Sequence, residues 1–165
     1  SSRGLGDVYK RQGQDGAGDE SGAAYLLLGP ATGTTDLSAA AARLEGEGVE
    51  DFAGSAVAGI GDFNGDSVPD IAVGATGHDG GGSDAGAAYL IFGPVTGTTS
   101  LSESDAIVLG GGEGTLMGAS ITPAGDLDDD GRDDVLVGAP EGGTGTVSLI
   151  RGCLLYTSPS PRDDR

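Results

Sequence analysis

Apolar residues occur along the chain in short runs, each closed off by residues that favour turns. Runs at about 23–28, 55–60, 71–73, 87–92, 106–109, 120–122, 135–137 and 146–150 are rich in Val, Ile, Leu, Ala or Tyr, with Gly, Pro, Asp or Asn nearby. That pattern predicts strands. Ala39-Ala40-Ala41-Ala42-Arg43-Leu44 has high helix propensity, but the equivalent stretch described below, Glu103-Ser104-Asp105-Ala106-Ile107-Val108, reads as a strand, so a strand is expected near Arg43 as well. No sizeable helix is predicted, and the fold class is all-β.

The pattern is written twice. Gly22-Ala23-Ala24-Tyr25 returns as Gly86-Ala87-Ala88-Tyr89, Gly29-Pro30 as Gly93-Pro94, Thr32-Gly33-Thr34-Thr35 as Thr96-Gly97-Thr98-Thr99, and Gly74-Ala75 as Gly138-Ala139, always 64 residues on. A long Gly-rich repeat of short apolar runs points to a radial or solenoid array of similar units.

Two acidic loops keep the same offset: Asp62-Phe63-Asn64-Gly65-Asp66-Ser67-Val68-Pro69-Asp70 and Asp126-Leu127-Asp128-Asp129-Asp130-Gly131-Arg132-Asp133-Asp134. Each places an oxygen-bearing side chain at positions one, three, five and nine. A tightly curled loop can converge alternate residues on one point, and Ca²⁺ takes about 6 to 8 oxygen ligands at roughly 2.3 to 2.6 Å. The candidate ligands are Asp62, Asn64, Asp66 and Asp70 in the first loop and Asp126, Asp128, Asp130 and Asp134 in the second. The main-chain carbonyls of Val68 and Arg132 at position seven complete the two shells. Asp129, Asp133 and the Arg132 side chain are expected to face solvent. An EF-hand is excluded, because position twelve is Val73 or Val137 where that motif needs a bidentate Glu, and the loops run into strands. Mg²⁺ suits such a loop less well, since it demands a tight octahedron and keeps its waters, and Zn²⁺ lacks Cys or clustered His. Tighter binding is expected at the second loop, which has four carboxylates and Gly131 at the sixth position, where Ser67 in the first would be strained.

The order Phe52-Ala53-Gly54-Ser55, Gly61-Asp62-Phe63-Asn64-Gly65-Asp66, Asp70-Ile71-Ala72-Val73-Gly74-Ala75 resembles an FG-GAP repeat. A second copy has Leu116 in place of Phe52 and closes on Val137-Gly138-Ala139-Pro140. The resemblance implies the β-propeller of integrin α subunits, with each acidic loop joining the first and second strands of a four-stranded blade. Gly-Ala-Ala-Tyr would then be the third strand and the stretch around 106–109 the fourth. Residues 13–152 would hold one whole blade flanked by two incomplete ones, and such a fragment, with sheet faces and edges uncovered, is expected to be poorly soluble or partly folded.

Residues 1–12 and 153–165 resemble translated sequencing adapter. Asp7 to Gln12 can be encoded by GAT GTG TAT AAG AGA CAG, and the reverse complement read from its second base gives Cys153-Leu154-Leu155-Tyr156-Thr157. Both ends are therefore set aside from fold reasoning, and the insert is read as a fragment of a longer gene. Of the 8 basic residues only Arg43, Arg132 and Arg151 remain, and of the 26 acidic residues all but Asp7, Asp163 and Asp164. Three positive against 23 negative charges leave a net of −20. That surface repels nucleic-acid phosphates and anionic membranes and attracts divalent cations. No direct membrane insertion is expected in this segment.

No catalytic residue is assigned. His78 reads as a solvated loop residue, the triple-glycine runs lack the Gly-Lys-Ser/Thr of a phosphate loop, no nucleophile elbow occurs, and Tyr25 and Tyr89 read as packing. By resemblance the chain is a non-catalytic, calcium-stabilised propeller module of a secreted or cell-surface protein, used in adhesion or protein binding. Its partner would be a protein or cell-surface ligand. The competing expectation is an accessory propeller domain of a secreted hydrolase whose active site lies elsewhere.

Overall fold

The computed structural model describes residues 8–11, 20–30 and 33–153. Eleven strands lie in these stretches: β1 (Val8–Arg11), β2 (Ala23–Leu26), β3 (Ala42–Glu45), β4 (Ala53–Gly61), β5 (Asp70–Ala75), β6 (Ala87–Ile91), β7 (Gly97–Ser100), β8 (Ala106–Leu109), β9 (Ser120–Gly125), β10 (Asp134–Ala139) and β11 (Thr146–Ile150). The only helices among the described residues are single 3-10 turns at Leu37–Ala39 and Leu101–Glu103. Every predicted strand is present, including the one at Arg43.

The strands form three sheets, ordered β1-β2-β3-β7, β4-β5-β6-β8 and β9-β10-β11. The middle sheet is a complete antiparallel blade with the expected strand order. The third sheet holds the first three strands of the next blade. The first holds the last two of the preceding blade, with two additions the sequence did not suggest. Val8–Arg11, set aside as adapter-like, pairs antiparallel with β2, and β7 crosses from the middle repeat to lie parallel to β3.

The middle blade is apolar on both faces. Along β5 and β6, Ile71, Val73, Ala75, Ala87, Tyr89 and Ile91 point toward the first sheet and pack with Leu26, Leu44 and Leu101. The intervening Ala72, Ala88 and Leu90 point the other way, against Met117, Val135 and Val137. Alternation of side chains across a strand thus becomes an unbroken apolar run when both faces are covered. Full burial of a Val, Leu or Ile side chain contributes about 1.5–3 kcal/mol, so these two seams dominate the stability of the stack.

The Gly-Ala-Ala-Tyr motif has a backbone reason for its glycine. Gly22 and Gly86 adopt φ of 77° and 76°, and a Cβ there would lie 2.2 Å from the Ala53 carbonyl oxygen or 2.4 Å from the Met117 backbone. Those contacts fasten each blade to the one before it, through Ala53 N–H to Ser21 C=O at 2.9 Å and Met117 N–H to Ala85 C=O at 2.9 Å.

Candidate metal centre

Both acidic loops leave the sheet by the same device. The β4–β5 ladder shifts register between Gly59 and Gly61, and the β9–β10 ladder shifts between Asp134 and Val135. Gly61 and Gly125, at φ of 76° and 69°, turn the chain into the loops at these bulges. Position one is then wrapped by backbone amides. Asp62 accepts from Gly65 (2.8 Å), Asp66 (2.9 Å) and Ser67 (2.9 Å), and Asp126 from Asp130 (3.0 Å) and Gly131 (2.8 Å). Position seven is tied to position five, with Val68 N–H on Asp66 Oδ1 at 2.7 Å and Arg132 N–H on Asp130 Oδ1 at 3.0 Å.

The loops differ in what they bring together. Asp126, Asp128 and Asp130 each offer a carboxylate oxygen, and these three oxygens lie within 4.8 Å of one another. Two oxygens on opposite sides of a calcium ion are about 4.6 to 5.2 Å apart, so the all-oxygen set fits that ion. Among the described residues no other group of three Asp, Glu, His or Cys side chains converges in this way. In the first loop Asn64 and Asp66 instead bond to each other, Nδ2–H to Oδ2 at 3.0 Å, while the Asn64 side-chain oxygen accepts from Asp66 N–H at 2.9 Å.

Position nine is built differently from the rest. Asp70 and Asp134 are fully buried at the start of β5 and β10. Asp70 accepts from Phe63 N–H (2.9 Å) and Asn64 N–H (3.2 Å) on one oxygen and from Gly93 N–H (2.9 Å) on the other. Asp134 accepts from Leu127 N–H (3.0 Å) and Gly152 N–H (2.9 Å). Each therefore ties its loop to the end of the third strand. Burial pushes the Asp70 carboxyl above its usual range, against the pull of the Gly93, Phe63 and Asn64 amides. An ionised carboxylate offers roughly four lone-pair sites, so these bonds leave it acceptor capacity for a cation.

Three side chains read as solvated take part in the structure. Asp133 is half-buried and accepts the Asp62 N–H at 2.8 Å. Arg132 reaches Asp130 Oδ2 with Nη1 at 2.7 Å, and its stem covers Gly65, where a Cβ would stand 3.2 Å from Nε. His78 is held by Glu47 at 2.9 Å and sits edge-on to Tyr89, with ring centroids 5.9 Å apart. The Tyr89 hydroxyl donates to the same Glu47 carboxylate, and burial, reinforced by that carboxylate, keeps it protonated far above the ordinary phenol range. Asp62 beside Asp133, Glu47 beside His78 and Gly65 under the Arg132 stem come from different repeats or distant loops, which local spacing does not reveal, whereas Asp130 lies in the same loop as Arg132. Asp129 is exposed, as expected. A second cation, Arg151, lies 3.3 Å from Asp128 Oδ2.

The strain expected at Ser67 is real, at φ 67°, but the second loop carries its own: Asp129 at φ 57°. Positions four and six are left-handed in both loops. The first loop supplies glycine at four (Gly65, 81°) and the second at six (Gly131, 87°). Each loop thus has one glycine and one left-handed residue that is not glycine, so such strain is not confined to the first loop.

The FG-GAP repeat family model matches residues 53–91 and 117–150, each running from the first strand of a blade through its acidic loop and into the third. Over 106 residues, 64% of this chain, it is 36% identical to integrin alpha-3 of Cricetulus griseus, and over the same length 34% identical to integrin alpha-3 of Mus musculus. The chain spans 10% of the length of these relatives. The blade topology, the paired acidic loops and these matches agree: the chain belongs to the FG-GAP, integrin-α-like family of β-propeller repeats.

Proposed function

We propose that this chain is part of a non-catalytic, calcium-binding propeller module of a secreted or cell-surface protein, working in adhesion or protein binding. The observation that carries the metal reading is the convergence of Asp126, Asp128 and Asp130. Asp134 and the Arg132 carbonyl complete the second shell, and Asp62, Asn64, Asp66, Asp70 and the Val68 carbonyl hold a weaker second ion. Calcium would neutralise clustered carboxylates in a chain of formal net charge −18, bracing the loops that join the first two strands of each blade. Extracellular modules bind at about 10⁻⁴ to 10⁻³ M, which suits the setting in which integrin-like chains work. Relatedness to integrin alpha-3 supports a protein or cell-surface ligand. By the family resemblance that ligand meets the propeller face opposite the acidic loops, where calcium itself touches no partner.

Calorimetric titration of a closed propeller containing these blades tests the metal reading. Calcium should bind with an affinity that Asp130→Ala lowers more than Asp66→Ala does, and EDTA should lower the melting temperature. Absence of binding heat together with an EDTA-insensitive melt refutes calcium binding. Equal losses in the two variants refute the ranking of the loops.

A further inference from the structure

The two acidic loops meet across the blade boundary through their backbones. Position seven of the second loop offers the Arg132 carbonyl, and the N–H at the other end of that planar peptide belongs to Asp133. It donates to the Asp62 carbonyl at 3.0 Å. The Asp62 carbonyl in turn shares its peptide with the Phe63 N–H, which donates at 2.9 Å to Oδ2 of Asp70, position nine of the first loop. Two peptide groups thus join the carbonyl of one candidate shell to a carboxylate of the other.

The relay is shielded and restrained along its length. Phe63 is 1% exposed and stacks on Phe92 with ring centroids 6.2 Å apart, Asp70 is fully buried, and Cys153 N–H holds the Phe63 carbonyl at 3.1 Å. Asp133 Oδ2 accepts the Asp62 N–H at 2.8 Å, so Asp62, position one of the first loop, is gripped at both its N–H and its carbonyl. The repeat builds a receiving half into both loops, since Leu127 N–H donates to Asp134 at 3.0 Å as Phe63 N–H does to Asp70. The sending half belongs to the second loop alone. Position eight of the first loop is Pro69, which has no N–H to give.

We propose that the two loops bind calcium cooperatively, the second loop tightening the first through the Arg132–Asp133 and Asp62–Phe63 peptides. Such cooperativity rests on the calcium binding proposed above and adds its regulation. With the Arg132 carbonyl committed to a cation, its peptide plane is fixed and polarised, and hydrogen bonds in a chain strengthen one another where the local dielectric is low. Asp133 N–H then holds Asp62 more firmly and Phe63 N–H holds Asp70 in place. Two side chains of the first shell are thereby set before it fills, which lowers the ordering cost of the second binding event. Repulsion between two cations opposes the effect, but salt screens it and leaves the short relay untouched. Linkage makes the coupling reciprocal.

Calcium titration of a closed propeller containing these blades, followed by amide NMR at about 0.15 M salt, tests the coupling. Gly65 N–H, on Asp62, reports the first loop, and Gly131 N–H, on Asp126, the second. Asp128→Ala removes a second-loop ligand that takes no part in the relay, its side chain reaching toward Arg151 at 3.3 Å. It should raise the calcium concentration at the Gly65 midpoint at least about fivefold, and Asn64→Ala should weaken the second loop, read at Gly131, by the same factor. Asp133→Pro copies Pro69 and deletes the donor, so adding Asp128→Ala to it should no longer move the Gly65 midpoint. Asp133→Ala keeps the N–H and should keep the coupling. A Gly65 midpoint indifferent to Asp128→Ala, coupling that survives Asp133→Pro, or coupling that vanishes with Asp133→Ala overturns the relay and leaves calcium binding standing. Absence of any calcium-induced shift at Gly65 and Gly131 overturns both.

Discussion

Asp62 and Asp133 hold each other across a blade boundary: the Asp62 N–H donates to Asp133 Oδ2 at 2.8 Å, and the Asp133 N–H donates to the Asp62 carbonyl at 3.0 Å. The first residue of one acidic loop is thus fixed by the eighth of the next. Gly61 makes room for the contact, since a Cβ at its position would stand 1.9 Å from that carboxylate oxygen. Hydrogen bonds to charged groups contribute about 1.5–3 kcal/mol, and partial exposure brings this one to roughly 1–2 kcal/mol. Asp133→Ala should lower unfolding free energy by that amount in denaturant titration, with Asp133→Asn recovering at least half. An unchanged midpoint for Asp133→Ala would show that the clasp contributes nothing.

The shared left-handed positions make a second test. Ser67→Gly should raise stability by up to about 1 kcal/mol, because a side chain in the left-handed region costs roughly 1–2 kcal/mol and the flexibility glycine adds to the unfolded chain offsets part of the gain. Asp129→Gly should gain less, since Asp tolerates that region better. Thermal melts of the two variants without added cation would reveal the order. Destabilisation by Ser67→Gly would mean that the hydroxyl does more than the backbone geometry indicates.

Strand positions and blade order were legible because they depend on local apolar runs and on a repeat that keeps register. The acidic loops were legible for the same reason: the spacing of their carboxylates is a property of consecutive residues. What escaped depends on neighbours distant in sequence. Pro69 and Asp133 occupy the same position in their loops, and only the placement of the third blade gives Asp133 a partner in Asp62. His78 looks like a lone loop residue until Glu47, brought by the preceding blade, closes on it. Strand β7 consists of Gly, Thr and Ser with no apolar alternation, and it is a strand only because the edge of β3 pairs with it.

Asp51 supplies a pH prediction away from the acidic loops. It is buried in the turn before β4, accepting Gly48 N–H at 2.7 Å, and burial raises its carboxyl above the ordinary range more than that bond lowers it. A raised folded-state value means that the folded protein holds the proton more tightly than the unfolded chain. The stabilisation from Asp51 is then complete below the unfolded value of about 3.9 and is lost as pH rises through the folded one. Asp51→Asn keeps an acceptor for Gly48 and cannot ionise. Its stability should fall less steeply than that of the parent as pH rises from about 4 through the raised value. Parallel slopes for the two proteins would place the penalty elsewhere.

Gly74 and Gly138 occupy the same position in successive repeats but face different neighbours. A Cβ on Gly74 would lie 2.0 Å from the Gly118 carbonyl oxygen of the following blade, a backbone atom held in place because the Gly118 N–H donates to the Gly138 carbonyl at 3.1 Å. A Cβ on Gly138 would first meet the Ser120 hydroxyl at 2.2 Å, with every other neighbour at 3.6 Å or beyond, and a hydroxyl can rotate away. Gly74→Ala should therefore push the blades apart and cost about 2–3 kcal/mol or more, the range for overpacking against an unyielding neighbour. Gly138→Ala should cost under about 1 kcal/mol, since a rotamer change absorbs the contact and alanine suits a strand better than glycine. Unfolding titrations of the two variants should differ in that order. The same pair placed in a closed ring, where another blade covers β10 as β9 covers β5, should become equally costly, because the glycine is needed for blade-to-blade approach and not for the strand that carries it.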